Sequence, residues 1–451
     1  MTVTPVVDEG LGNSASVVDL GDGDGMVVDP ERDPRPYATS LAAAGLRPRF
    51  VIETHLHADF VSGGLELVAQ GAELLAPTGS ELAAPHRPLA DGDEVALGGL
   101  TLQVIATPGH TPEHLGYLLK HGSRPVGLVS GGTLMAGGIA RTDLLSPELT
   151  EPLARQAYRS IRDRLFTLAD DLPVFPTHGA GSFCSAAPNG ERTTTIGREK
   201  ATNPLLADDP DEDTFVARLL SGYGTYPPYF LELRGVNRAG PAVIGAVGPH
   251  VPELSPATFQ AAIEADAEVV DARASAAFAA GHIPGALANA WRPAFATWLG
   301  WLVDRDRDVV LVVDDRVPVG DLAWAAATVG YDRLTGVLAG GMHAWRAEGR
   351  PVATIPLIPA EQATGRRIVD VRQRTEHLAG RVAGSRNAQL GSLVTAPDQV
   401  DHAPTLVHCG HNERAMSAAS LLARAGHTDV AVLDGGPQDL AAAGARLEVG
   451  A

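Results

Sequence analysis

Histidines and one aspartate recur in this 451-residue chain at places where side chains can converge. The run Thr54-His55-Leu56-His57-Ala58-Asp59-Phe60 carries His55, His57 and Asp59 on alternate residues. In a strand end or extended loop, alternation projects all three to one side, which suits ligands closing on one ion. His110 follows in TPGHTPEH and His178 in PTHGAGS, each after an apolar run and beside glycines that let the backbone come close. Three such loops point to a metal site, with isolated hydrogen-bonded histidines as the alternative.

A second locus is Leu406-Val407-His408-Cys409, an apolar run ending in one of the two cysteines of the chain. Gly410-His411-Asn412-Glu413-Arg414 reads as a loop, and Ala415 to Ala425 as a helix stopped by Gly426. A cysteine between a strand end and a helix N-terminus receives backbone N–H groups and the positive end of the dipole. Those donors favour a thiolate and draw its pKa from ~8.5 toward neutrality. They also cradle a bound sulfur, and Arg414 adds positive charge. The chemistry implied is nucleophilic, with an inert buried cysteine as the alternative. Cys184, a few residues beyond His178, is either a small buried residue or a thiol that handles persulfide beside the metal pocket. Apart from His178, no basic residue is nearer to it in sequence than Arg192, so its thiol is expected to be the less reactive of the two.

The elements that must hold these loops are strands and helices in alternation. Val17 to Pro30 reads as a hairpin around a Gly/Asp turn, Tyr37 to Ala44 as a helix, and Phe50 to Glu53 as an apolar strand. Further strands are expected at Leu100 to Ala106, Val126 to Ser130 and Val174 to Pro176. This is an α/β layered pattern with its site at one edge of the sheets. Ser185 to Pro256, rich in Pro, Gly, Asp and Thr, reads as a tail on that domain and then a linker, with a helical segment near Thr214 to Leu220. Beyond it the chain repeats itself. Val270-Asp271-Ala272-Arg273 with Gly281 and Gly285 is echoed 99 residues later by Val369-Asp370-Val371-Arg372 with Gly380 and Gly384. Each copy goes on to a buried strand (Val309 to Val313; Thr405 to His408), a helix and a Gly-Gly turn. Three domains are therefore expected, 1–250, 251–354 and 355–451.

Bulk properties exclude several classes. A net charge of -19 opposes binding to a phosphate backbone or an anionic membrane surface, so neither nucleic acid nor membrane is an expected partner. There is no apolar run long enough to span a bilayer, and MTVTPVVDEG lacks the plan of a secretory signal. Two distant cysteines do not make a disulfide framework, and a cytoplasmic location is expected.

The stretches ETHLHADFVSGG (Glu53 to Gly64), TPGHTPEH, ARTDLL (Ala140 to Leu145), HGAGSFC (His178 to Cys184) and TTIGREKATNP (Thr194 to Pro204) resemble the metallo-β-lactamase superfamily. Within it they look most like persulfide dioxygenases fused to rhodanese domains. The resemblance implies an αββα sandwich followed by two rhodanese-like α/β domains. It also implies Fe(II) held by His55, His110 and an aspartate in a segment that resembles F-T-G-D-T-L-F. This chain has Val-Ser-Gly-Gly-Thr-Leu-Met there, with Gly132 in place of the carboxylate. The trio that zinc-binding relatives use, His55, His57 and His110, would suit one Zn(II), and Phe60 argues against a second ion. The cofactor is thus expected to be Fe(II), a single Zn(II), or none, and Asp59 and His178 complete the set of candidate ligands.

The Cys409 loop resembles the active-site loop of rhodaneses, six residues from Cys409 to Arg414, one shorter than in cysteine-dependent phosphatases. Cys409 would accept sulfur and Arg414 close the loop, with Gly410, His411, Asn412 and Glu413 around the substrate. Glu413 disfavours a dianion, so the donor expected is a low-molecular-weight thiol persulfide ahead of thiosulfate, with a thiol as acceptor. In the first repeat Asp314 falls opposite Cys409, so that copy is expected to be structural. The expected function is sulfane-sulfur transfer through a Cys409 persulfide, joined to a dioxygenase-like domain. The rivals are a mono-zinc thioester hydrolase of glyoxalase II type and a non-enzymatic sulfur-binding scaffold. Self-association is left open.

Overall fold

Alternating apolar residues build the first part of the chain into two facing sheets. The computed structural model describes residues 2–179, 181–184 and 190–449. The chain forms two compact units, Met1–Gly248 with Ala327–Gly330, and Pro249–Ala326 with Tyr331–Ala451.

In the first unit, strands Val3–Asp8, Asn13–Gly21, Asp24–Val28, Arg47–Ile52, Glu73–Pro77 and Arg87–Leu89 lie side by side in chain order. The second sheet runs Thr194–Thr195, Pro173–Pro176, Arg124–Gly131, Leu115–His121, Leu100–Ala106, Glu94–Leu97. Val18, Leu20, Met26, Val28 and Ile52 from one sheet meet Leu102, Val104, Tyr117, Leu119 and Val129 from the other in one core. The intervening residues Val17, Val27 and Val51 face outward, where Tyr37, Leu41 and Leu67 from helices Arg35–Ala43 and Gly64–Val68 cover them. On the other sheet, Ile105, Leu118 and Leu128 are covered by Ala154, Phe215 and Leu219 of helices Pro147–Arg159 and Glu212–Ser221. Period-two alternation with apolar residues on both faces produces the αββα sandwich.

The segment after Cys184 is more than a tail. Ser185–Asn189 lie outside the described residues, but Ile196–Thr202, Glu212–Ser221 and Phe230–Ala239 are helices. Ile196, Leu206, Phe215 and Leu219 enter the core. Its Pro, Gly and Asp content marks the breaks between these helices, while their apolar faces belong to the sandwich.

In the second unit the sequence repeat becomes a structural one. The first parallel sheet orders Glu253–Leu254, Leu334–Leu338, Val309–Val312, Glu268–Asp271 and Leu287–Ala288. The second orders Leu357–Ile358, Val430–Leu433, Thr405–His408, Arg367–Asp370 and Arg386–Asn387 in the same topology. The Asp-x-Arg…Gly spacing has a mechanical reason. Arg273 Nη2 donates to Asp271 at 2.6 Å and to the Gly281 carbonyl at 2.9 Å. Arg372 Nη2 repeats this with Asp370 at 2.7 Å and Gly380 at 2.6 Å. Each forked guanidinium ties a strand end to the helix that follows it. Among the described residues no helix is long and apolar enough to cross a membrane.

Candidate metal centre and cysteine site

Each histidine loop follows the C-terminal end of a strand: Arg47–Ile52 leads to His55, Leu100–Ala106 to His110, and Pro173–Pro176 to His178. These three bring ligand atoms within 4.8 Å of one another, and all are buried. His178 Nε2 lies 3.5 Å from His55 Nε2. The opposite ring nitrogens are engaged. His55 Nδ1 meets the Thr54 hydroxyl at 2.8 Å, His110 Nδ1 the Arg141 carbonyl at 2.6 Å, and His178 Nδ1 the Asn13 amide oxygen at 2.9 Å. Such partners set ring orientation and leave Nε2 for an ion. Burial, followed by repulsion from neighbouring imidazoles, holds His55 well below its usual range and His110 down to about 3. Neutral imidazole is the form that binds a metal.

His57 does not join this trio, contrary to the expected set of His55, His57 and His110. Its Nε2 lies 3.2 Å from Asp29 and 3.1 Å from Glu53. Burial opposes charge on this ring, but the two carboxylates outweigh it and lift its pKa to about 10. The ring stacks on Phe60, with centroids 4.1 Å apart. His178 completes the trio with His55 and His110, while two buried carboxylates hold His57 Nε2. Two further groupings meet the same 4.8 Å limit: Asp29, His55 and His57, and His57, Asp59 and His178. His57 Nδ1 and Asp59 Oδ1 are buried without a hydrogen bond. Orphaned polar atoms of this kind, beside the rings of His55, His110 and His178, fit a bound cation.

Gly132 stands against this cluster. Its N–H donates to His114 Nε2 at 3.0 Å. A Cβ there would lie 2.9 Å from His110 Cδ2 and 2.9 Å from Ala140 Cβ, so the absence of a side chain lets the His110 ring rest on the backbone. Cys184 is fully buried, and its carbonyl accepts the Arg141 N–H at 2.8 Å. Burial, then nearby Asp59, pushes its thiol well above the usual range, while Arg141 opposes this. The basic group nearest in effect is therefore Arg141, which sequence distance concealed.

Several supporting residues escaped the sequence reading. Asp29 follows the strand Asp24–Val28 with φ 49° and accepts both the N–H and the hydroxyl of Thr54 at 2.7 Å. Asn237, in the helix Phe230–Ala239, donates to the carbonyls of His57 and Phe60, each at 2.9 Å, and so fixes the His-x-His loop. Asp29 had a local signal, the aspartate closing an apolar hairpin strand. Asn237 had none.

In the second unit, strand Thr405–His408 delivers Cys409 ahead of helix Glu413–Arg424. Cys409 Sγ accepts the Asn412 N–H at 3.2 Å, with Asn412 in the left-handed region at φ 94°. Of the amides expected to converge on the thiol, that of Asn412 reaches it, and the helix begins only at Glu413. Arg414 lies within its first turn and bonds Glu376 through both terminal nitrogens, at 2.6 and 2.8 Å. The positive charge expected of Arg414 in this loop is shared with that carboxylate. Cys409 is buried and His411 is exposed. Asn412 Nδ2 donates to Asp434 at 3.1 Å. The Gly-Gly turn has its reason here: a Cβ on Gly436 would come 2.5 Å from the Gly410 carbonyl. The other repeat keeps a hollow of about 520 Å³ at the matching place, lined by Asp314, Asp315, Gly340, Gly341 and His343 in place of a thiol.

Comparison with known proteins agrees with both halves. A family model described as a rhodanese-like domain matches residues 255–348 and 358–443. The mitochondrial persulfide dioxygenase of Homo sapiens is 29% identical over 184 residues, covering 40% of this chain and 66% of that protein. A hydroxyacylglutathione hydrolase of Methylobacillus flagellatus is 32% identical over 203 residues, 41% of this chain and 79% of its own length. Among solved structures, a metallo-β-lactamase from Staphylococcus aureus superposes with a TM-score of 0.65 at 27% identity, covering 74% of this chain and 98% of its own. With the two facing sheets and the histidine loops at their strand ends, the chain belongs to the metallo-β-lactamase superfamily and carries two rhodanese-like domains behind that fold.

Proposed function

We propose that this chain is an enzyme of sulfide and persulfide metabolism that transfers sulfane sulfur through Cys409. The observation that carries the reading is the thiol at a strand end, bonded to the Asn412 amide at the mouth of a helix, in the repeat that keeps its cysteine. The Cys409 thiolate attacks the outer sulfur of a donor R–S–SH. A new S–S bond forms as the donor S–S bond breaks, giving Cys409–S–SH and R–S⁻. The outer sulfur keeps its proton and the departing thiolate takes the electron pair, so no oxidant is consumed. An acceptor thiolate then takes that sulfur and restores Cys409.

The first unit is read as a metal-binding partner of this chemistry, with His55, His110 and His178 as ligands and Asp59 and His57 beside them. A metal bound there supplies Lewis acidity. Three imidazoles without a carboxylate at Gly132 favour Zn(II) over the two-histidine, one-carboxylate set of Fe(II) oxygenases. This donor set, with the hydroxyacylglutathione hydrolase relatives, supports a second reading of the first unit as a thioester hydrolase. A low-molecular-weight thiol persulfide or thiosulfate is the donor, and a thiol the acceptor.

The test is one assay of the purified chain with a persulfide donor that follows sulfur transfer and O₂ uptake together. Transfer without O₂ uptake is the expected result. O₂ uptake without transfer would move the function to an iron dioxygenase in the first unit.

A further inference from the structure

The charges around Cys409 do not all come from its own repeat. On the Cys409 side, Arg414 is held by Glu376, and Glu413 adds a second carboxylate at the start of the helix. Within its own repeat the positive charge nearest the thiol is therefore already paired. The other repeat reaches across. Its strand Leu287–Ala288 is tied to the Cys409 helix, since the Ala288 N–H donates to the Ser420 hydroxyl at 3.2 Å. At the far end of that helix, Arg424 Nε donates to the Gly285 carbonyl at 2.6 Å and its guanidinium pairs with Glu268.

The segment that follows Ala288 is pinned. Asn289 N–H donates to Asp271 O at 3.0 Å, Trp291 N–H to Ala272 O at 2.8 Å, and Asn289 Nδ2 to Phe295 O at 3.0 Å. It leads into the fully buried helix Phe295–Leu302, whose Trp298 ring lies 5.8 Å from the Arg414 guanidinium carbon. Arg292 sits in this segment. Its Nε is closed off from solvent and makes no hydrogen bond. Burial holds Arg292 below its usual range, and the charges acting on it are those of Glu413, Arg414 and Cys409.

We propose that Arg292, supplied by the repeat without a cysteine, binds the anionic group of the sulfur donor at Cys409, so that the two repeats share one active site. The inference rests on sulfur transfer at Cys409 and adds the class of donor: one bearing an anion besides the transferred sulfur. A half-buried guanidinium whose Nε–H is unused is suited to a sulfonate or a carboxylate. Its charge also offsets Glu413, which taken alone disfavours such a donor. With thiosulfate the leaving group is sulfite, and the transferred sulfur takes a proton from solvent. The cysteine-free repeat thus has a use beyond support.

The experiment measures transfer by the full chain from thiosulfate, from glutathione persulfide and from the persulfide of 2-mercaptoethanol, which carries no anionic group besides its sulfur. Arg292→Gln should raise KM for one or both anionic donors about tenfold or more, as expected for a lost charge-assisted contact. It should change kcat little and leave KM for the 2-mercaptoethanol persulfide within about twofold. Arg292→Lys should restore most of the loss. The anionic donor that shifts more identifies the group bound, sulfonate or carboxylate. An equal rise for all three donors, or no rise, overturns the role of Arg292 while leaving transfer at Cys409 intact. A wild-type chain that forms no Cys409 persulfide with any donor overturns both readings.

Discussion

A carboxylate placed at position 132 should change which metal the histidine cluster retains. The added Cβ of Gly132→Asp would arrive 2.9 Å from His110 Cδ2, the ring atom next to Nε2, and 2.9 Å from Ala140 Cβ. The carboxylate therefore comes in beside a candidate ligand nitrogen, but only if the ring and its neighbour give way. Overpacking of this kind costs about 1–3 kcal/mol. In a unit of this size that lowers Tm by roughly 2–12 °C. Gly132→Ala brings the same overlap without the charge and is the control. Both variants should melt lower by similar amounts. The aspartate alone should raise Fe(II) retention about tenfold or more, since even outer-sphere partners shift metal affinity about 10–100-fold. Elemental analysis after anaerobic loading with Fe(II) and Zn(II) together, with persulfide-dependent O₂ uptake, reads the outcome. The reasoning fails if the wild-type chain already holds one iron and consumes O₂ at a rate the aspartate variant does not exceed.

Cys409→Ser should lower sulfur transfer on the order of 10³-fold or more while the melting curve stays put, and donor-treated wild type should carry one extra sulfur on the Cys409 peptide by mass spectrometry. At pH 6.5 timed alkylation should label Cys409 before Cys184, whose thiol is pushed up by burial and Asp59; equal rates would remove the basis for placing the chemistry at Cys409. His178→Ala should lower zinc affinity about tenfold or more and exceed the effect of His57→Ala, as measured by competition with a chromogenic chelator. The reverse order would restore the trio of His55, His57 and His110. Burial raises the Asp370 pKa, but Arg372, His408 and His377 outweigh it and hold it below the usual value. Asp370 therefore contributes stability that is present above about pH 4 and lost as pH falls through its lower folded pKa. The stability gap between wild type and Asp370→Asn should shrink on acidification, which urea titrations across pH 2–6 would show.

Local features of the sequence indicated an α/β layered first domain and a repeat behind it, and the resemblance implied the αββα sandwich. Alternation such as Val17-Val18 and Val27-Val28 sorts side chains to opposite faces of a strand, and both faces proved buried. The Asp-x-Arg…Gly spacing was legible as a repeat because each fork closes within a few residues of itself. The His-x-His-x-Asp run and the Cys409 loop were legible for the same reason, being contiguous in the chain. Partner choice was decided only in three dimensions. His57 and His178 are equal as residue types, yet Asp29 from a separate hairpin, together with Glu53, draws His57 away, and Asn13 orients His178 toward His55. Arg141 influences Cys184 across 43 positions, and Glu376 takes up Arg414 across 38. The charge of Cys409 acts on Arg292 of the other repeat. Charge and hydrogen bonding act through space, so backbone periodicity can aim a side chain, while the buried groups that other elements bring beside it determine its partner.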